Sequence, residues 1–155
     1  MENPMQRVIL SIAILASLLG LLFSCATPAL EDYRPKSAQE KEVLAVFTEM
    51  IAARKNQDFY EYMDFFRDDA KIFKRLHPGS NSGSFLPKKE YEESPGEEFG
   101  IQLNPAYFQI KMGEDLAILD FWNKHREVMS HLKLEMEREN GQWLVIKYDY
   151  TPYRR

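Results

Sequence analysis

The chain has 155 residues, 28% of them charged and 45% apolar, and a net charge of −4; this is globular composition rather than disorder. Mild acidity without clustered Lys and Arg excludes a phosphate-binding surface, and with it nucleic acid as a partner. A single cysteine excludes an internal disulfide and any zinc site of Cys/His spacing, and no phosphate loop, nucleophile elbow or "HExxH" pattern calls for a cofactor or metal.

The polar start "MENPMQR", with Arg7, is followed by the apolar run "VILSIAILASLLGLLF". At roughly 16 residues the run is shorter than the ~20 a spanning helix needs and has the length of a signal-peptide core. It stops at Leu22-Phe23-Ser24-Cys25. Charge, apolar core, small residue and cysteine arrive in the order that resembles the lipobox of bacterial lipoproteins, with Phe23 bulkier than is usual at its place. The resemblance implies a signal peptide over residues 1–24, diacylglycerol on the Cys25 sulfur, and export of a chain anchored in the cell envelope by lipid. Ala26 after the cysteine, where an aspartate would signal inner-membrane retention, implies the outer membrane in a bacterium that has one. Two or three acyl chains, at ~0.8 kcal/mol per buried methylene, hold a protein durably where one chain does not. The alternative is an uncleaved N-terminal anchor with an incidental cysteine. Residues 25–36 hold two prolines and little periodicity, and read as a tether reaching up to about 35 Å. The folded domain is 37–155.

Ser37 and Glu40 form a capping box that opens a helix over "SAQEKEVLAVFTEMIAARK", in which Val43, Leu44, Phe47, Met50 and Ile51 recur at helical spacing. Asp58 and Glu61 cap a second, short helix with Phe59, Tyr62, Met63 and Phe66 on one face. "AKIFKRL" reads as a strand and "HPGSNSGS", containing His77, as a loop. "LPKKEYEESPG" is a short third helix, with Pro87 in its first turn, Pro95-Gly96 as its stop and its acidic residues solvated. Strands are predicted at "FGIQL" and "AYFQIKM", flanking a kink or bulge at Asn104-Pro105. "LAILDFWNK" follows the turn Gly113-Glu114-Asp115, and "REVMSHLKLEMER" and "QWLVIKYDY" are joined by a hairpin at Asn140-Gly141. In the penultimate strand Val128, Ser130, Leu132, Leu134 and Met136 alternate with His131, Lys133, Glu135 and Glu137. Helices first and antiparallel strands after them give an α+β domain, helices packed on one face of a curved antiparallel sheet.

From about Ser37 to Tyr150 this order is similar to the nuclear transport factor 2-like (SnoaL-like) superfamily. The residues that carry the likeness are Asp58, the "DDA" at Asp68 to Ala70, and the closing "ENGQWLVIKYDY". The resemblance implies a cone of helices over a strongly bent sheet, an apolar cavity between them, and dimerisation through the sheet as in many members. A cystatin-like sheet wrapped on one helix is the nearest alternative. Ketosteroid isomerases of this superfamily use a carboxylate base and a tyrosine. Aligned on Asp58 and Ala70, those positions are Lys74 and Met50, and neither residue can perform the task.

Asp120 shares its strand phase with Leu116, Ile118 and Trp122. Facing the core it would have a raised pKa suited to acid or base work; facing out, Ala117, Leu119 and Phe121 would form the core instead. Both phases are apolar, and alternation leaves the choice open. His125 and His131 are the residues that could join Asp120, as acid/base partners or metal ligands, or be solvated. The chain has 8 Tyr, 10 Phe and 2 Trp, more than a core of this size requires. Phe47, Met50, Tyr62, Phe66, Phe108, Trp122 and Trp143 are candidates to line a pocket for a flat or lipidic ligand, or else simply to fill the core. Three functions follow from these readings. One is a non-catalytic lipid-anchored envelope domain that binds a small apolar ligand or a protein partner. The second is a small-molecule isomerase, dehydratase or hydrolase using Asp120 and a histidine. The third is a structural subunit that forms a homodimer through its sheet.

Overall fold

A computed structural model describes residues 29–77, 80, 82–125 and 128–153. The signal segment and Cys25 lie outside the described residues, as do Pro78, Gly79 and Asn81 of the expected loop.

Helix α1 (Ala38–Lys55) opens at Ser37, whose hydroxyl accepts the Glu40 N–H at 3.0 Å. The Glu40 carboxylate does not reach back to Ser37 to complete the box. It accepts the Tyr33 hydroxyl at 2.7 Å and the Lys36 N–H instead. That change draws part of the expected tether onto the domain. A 3₁₀ turn at Leu30–Asp32 leads to Tyr33, which is buried edge-on against Phe108 with ring centres 5.0 Å apart. Burial first, and the Glu40 carboxylate second, push the Tyr33 phenol upward.

Helix α2 (Phe59–Asp64) is capped as its sequence indicates, the Asp58 carboxylate accepting the Glu61 N–H at 3.0 Å. Phe66 is not on its face; it opens the first strand. The strands are β1 (Phe66–Arg75), β2 (Gly83–Pro87), β3 (Pro105–Met112), β4 (Leu116–His125), β5 (Val128–Glu139) and β6 (Gln142–Tyr153), with helix α3 (Lys88–Glu93) between β2 and β3. They form one curved sheet in the order β2-β1-β6-β5-β4-β3.

Three expectations are corrected. The sheet is mixed, not antiparallel throughout: β1 runs parallel to β6, with Ile72 beside Tyr148. No hairpin dictates that pairing, because it joins the first strand to the last. The segment "GSFLP", read as loop and helix start, forms β2, which pairs antiparallel with β1 and sets Phe85 beside Phe73. "FGIQL" is not a strand. Residues Glu97–Gly100 form a 3₁₀ turn, and buried Asn123 holds the segment that follows. Its side-chain oxygen accepts the Asn104 N–H at 2.5 Å, and its amide donates to the Gln102 carbonyl at 3.2 Å.

The turn signals fare better. Asn140 and Gly141 lie at φ 51° and 83°, the left-handed pair that a two-residue hairpin requires. The bulge expected near Asn104-Pro105 falls between Ala106 and Gln109, with Tyr107 at φ 54°. The core fills the space between α1 and the inner face of the sheet. Phe47 of α1 packs on Phe108 at 5.3 Å and on Phe121 at 5.2 Å, and Leu132, Leu134, Met136, Val145 and Tyr148 complete the layer.

Candidate functional site

The structure settles the phase of β4. Ala117, Leu119, Phe121 and Asn123 are buried, so Leu116, Ile118, Asp120 and Trp122 lie on the face turned away from the helices. There Asp120 Oδ1 and His131 Nε2 are 2.7 Å apart across β4 and β5, and the imidazole leans on the Trp122 ring at 5.1 Å. The two side chains are 34% and 31% exposed. Sequence reasoning named both residues as candidates, and the fold does bring them together. It does so on an open sheet face, where neither lines any of the cavities described below. His125 ends β4 in register with Val128, away from the pair. Among the described residues no three His, Cys, Asp or Glu side chains converge on a possible metal site.

Register extends this outer face across the sheet. On β5, Lys133, Glu135 and Glu137 lie opposite Asp120, Ile118 and Leu116. On β6, Asp149 and Lys147 lie opposite Lys133 and Glu135. Glu135 receives Lys133 at 3.3 Å and Lys147 at 3.7 Å. Beyond them Phe73 of β1 and Phe85 of β2 meet with ring centres 5.5 Å apart, and the Lys147 ammonium sits 5.2 Å over the Phe85 ring. Phe85 itself is 41% exposed. Aromatic rings and charges of both signs therefore alternate from β2 to β4.

The seven residues considered for an apolar pocket do not line one cavity. Phe47, Met50, Tyr62, Phe66 and Phe108 are buried among one another in the core. Phe66 also borders a polar depression with Arg67, Asp68 and Lys88. Trp122 is on the opposite face of the sheet. Trp143 donates from Nε1 to the Glu42 carboxylate at 3.3 Å and borders a groove of about 490 Å³ between α1 and the β5–β6 hairpin. Lys74, at the isomerase base position, donates from Nζ to the Ser94 carbonyl at 2.6 Å and to its hydroxyl at 2.7 Å.

What the interior holds instead is an arginine. Arg54, in the last turn of α1, is 1% exposed. Its Nε donates to the Ile101 carbonyl at 2.9 Å, and Nη1 donates to the hydroxyls of Tyr62 at 3.2 Å and Tyr148 at 3.1 Å. Nη2 donates to the Glu98 carbonyl. Tyr91 completes the group, its hydroxyl donating to Glu98 Oε1 at 3.2 Å. Burial pushes the phenols of Tyr62 and Tyr148 up, the Arg54 cation pulling back only in part; Tyr91 is raised by burial and then by the Glu98 charge. All three stay neutral at physiological pH. The guanidinium thus ties α1, α2, β6 and the 3₁₀ segment into one polar centre. An arginine ending a helix ordinarily reads as a partner for the helix dipole. The signal that could have found it is spacing: Val43, Phe47, Met50 and Arg54 continue one helical stripe.

No protein-family model matches the chain, and no curated protein matches it. Solved structures do match. An NTF2-like protein of unknown function from Pseudomonas putida superposes with a TM-score of 0.64 at 18% identity, covering 76% of this chain and 89% of its own. An NTF2-like protein of unknown function from Shewanella baltica gives 0.57 at 12% identity, over 79% of this chain and 100% of that one. The CaMKII hub homology domain of Chlamydamonas reinhardtii gives 0.55 at 14% identity, over 76% and 100%. Likeness at these identities is likeness of fold. The chain has the nuclear transport factor 2-like fold, an α+β cone with its N-terminal helices packed on a curved, mixed six-stranded sheet.

Proposed function

We propose that this protein is a lipid-anchored, non-catalytic module of the cell envelope that associates with a protein partner, first of all a second copy of itself, through the outer face of its sheet. The observation that carries the reading is the composition of that face: Phe73, Phe85, Ile118 and Trp122 set among Lys and Glu or Asp side chains. A sheet face that meets only water is normally polar along each strand. Aromatic anchors ringed by charge are the makeup of a protein interface. Charges of both signs suit a two-fold contact, in which the same patch must complement itself.

Two further points favour association over the other readings. Five of the seven residues that could have lined a ligand pocket, Phe47, Met50, Tyr62, Phe66 and Phe108, are packed in the core instead. The Asp120–His131 pair lies part-buried on the outer sheet face, beside none of the cavities described above, whereas acid/base catalysis depends on an enclosed site that positions a substrate and excludes water. The anchor rests on the order of residues that ends at Cys25, with residues 1–24 removed and 25–36 leading into the domain at 37–155.

Light scattering on the full chain in detergent tests the association. The wild type should elute as a dimer or larger assembly, and Trp122→Glu and Phe85→Glu as monomers with unchanged circular dichroism. A wild type that is monomeric at tens of micromolar overturns self-association. Cells fed labelled palmitate should label the wild type and not Cys25→Ala; an unlabelled wild type removes the anchor.

A further inference from the structure

The carboxylates of the outer face differ in how they are balanced. Glu135 has two ammonium groups, Lys133 at 3.3 Å and Lys147 at 3.7 Å, and Glu137 has the Arg67 guanidinium at 2.6 Å. Those cations keep their charge at any physiological pH. Asp120 has no such partner. Lys133 lies opposite it in register, but the ammonium goes to Glu135. Among the described residues the one ion-pair partner of Asp120 is the His131 imidazole, Nε2 to Oδ1 at 2.7 Å. Histidine is the side chain whose ordinary titration falls between about pH 5 and pH 8.

The other groups around the imidazole do not titrate in that range. From β4 the Trp122 ring leans on it at 5.1 Å, and Lys124 is the next residue of that face. On β5 itself the next outward residue is Lys133. On β6 Thr151 lies opposite His131, and Asp149 opposite Lys133. Position along β4 makes the pair matter for association. Asp120 stands between Ile118 and Trp122 at alternate residues of one strand, so a partner seated on both of these anchors covers the carboxylate as well.

With His131 neutral the pair carries one net negative charge; with His131 protonated it is an ion pair with none. Water screens that difference on a free face. Beneath a partner it counts, because a lone charge costs more to bury than a paired one, and a two-fold contact presents the same charge a second time. We infer that self-association is regulated by protons: the outer face closes on its copy when His131 is protonated in a mildly acidic medium, and loosens when the imidazole gives up its proton. The inference rests on the reading of this face as the place where two copies meet. By linkage, protons that favour the dimer are also held more tightly by it.

Sedimentation equilibrium of the full chain in detergent, from about pH 8 to about pH 5.5, reads the dimer dissociation constant. The wild-type constant should fall at least tenfold as the medium is acidified. The double variant His77→Gln/His125→Gln leaves the pair intact and should follow the wild type. His131→Gln should keep one weak constant throughout. Asp120→Asn should reverse the trend, because protonation then places an unpaired cation beneath the partner. Should either single variant unfold, calorimetric dilution of the wild-type dimer in two buffers of different ionisation enthalpy decides the matter: dissociation at about pH 6.5 should release protons, and no release overturns the switch. A wild type that is dimeric with the same constant at every pH overturns the switch and leaves self-association standing, as does a His131→Gln protein that responds like the wild type. A protein that is monomeric at every pH overturns both.

Discussion

At the scale of single residues, Arg54 is the side chain on which the interior depends most. Removing it leaves two phenols and the carbonyls of Ile101 and Glu98 buried without their donor. At about 1–3 kcal/mol for each buried polar group stranded, with part of the loss recovered by rearrangement, this costs about 3–5 kcal/mol in total. Arg54→Ala should lower unfolding free energy in urea by that amount, and Arg54→Lys should recover less than half, since an ammonium cannot span acceptors placed for a planar fork. An Arg54→Ala protein as stable as the wild type would show that the centre is not structural. The tyrosines around it add a pH dependence. Burial raises the phenols of Tyr33, Tyr62, Tyr91 and Tyr148 in the folded state, while the unfolded chain releases these protons near pH 10. Above that pH the unfolded state binds fewer protons than the folded one, so stability falls as pH rises. Urea midpoints should be level up to about pH 9.5 and drop beyond pH 10, with phenolate absorbance from these residues appearing together with loss of circular dichroism. Absorbance that develops fully before the fold is lost would contradict this. Arg54 was legible only through its place in the stripe of Val43, Phe47 and Met50, and the orientation of Asp120 not at all. Arginine is expected at a helix end, and both phases of β4 are apolar enough that alternation alone could not choose between them.

Elements were legible where the signal is local. Ser37 and Asp58 start helices because a short oxygen-bearing side chain satisfies a free backbone N–H, and those three-residue relations are written in the sequence. The strict alternation over Ser130 to Met136 fixed the inner face of β5 for the same reason. What escaped was pairing between segments far apart in the chain: β1 beside β6, and β2 beside β1. "FGIQL" has the composition of a strand, but it lies where Arg54 claims the carbonyls of Glu98 and Ile101, and a turn results. The Asn140–Gly141 hairpin offers the clearest test at this scale. Gly141 sits at φ 83° with no heavy atom close to where a Cβ would stand. Gly141→Ala therefore meets no clash, and any loss comes from backbone conformation alone, about 1–2 kcal/mol. Thermal unfolding of that variant should show a lower midpoint with an unchanged native spectrum. An unchanged midpoint would mean that the turn relaxes to another geometry at no cost.

For the whole molecule, the consequence of greatest reach is where the proposed anchor would place the domain relative to a membrane. The segment after Cys25 does not run free to Ser37. From Leu30 it follows the β3 edge of the sheet, with Leu30 bordering a hollow shared with Ile51, Leu103 and Pro105, and Tyr33 packed on Phe108. On the proposed anchor, only the residues from Cys25 to Leu30 remain to span the gap. At about 3.5 Å per residue they reach roughly 18 Å, half of what a tether ending at Ser37 would allow. The β3 edge is then held close to the lipid. Edge strand β2 lies across a sheet of six strands, about 24 Å farther off at ~4.8 Å per strand spacing. The proposed acylation would also consume the thiol of Cys25, the one cysteine of the sequence, so an introduced cysteine would be the reactive thiol of the lipidated protein. Nitroxides at Tyr107→Cys on β3, 56% exposed in the wild type, and at exposed Ser84→Cys on β2 measure the two distances. In vesicles, the label at 107 should be relaxed more by membrane-dissolved oxygen, and the label at 84 more by an aqueous nickel chelate. Adding Tyr33→Ala, which removes the ring on Phe108 and the hydroxyl on Glu40, should free the strap and shrink the difference between the sites. Equal accessibility at both positions in the unmodified strap would mean that the domain swings freely, and that the contacts made by Tyr33 do not set its orientation.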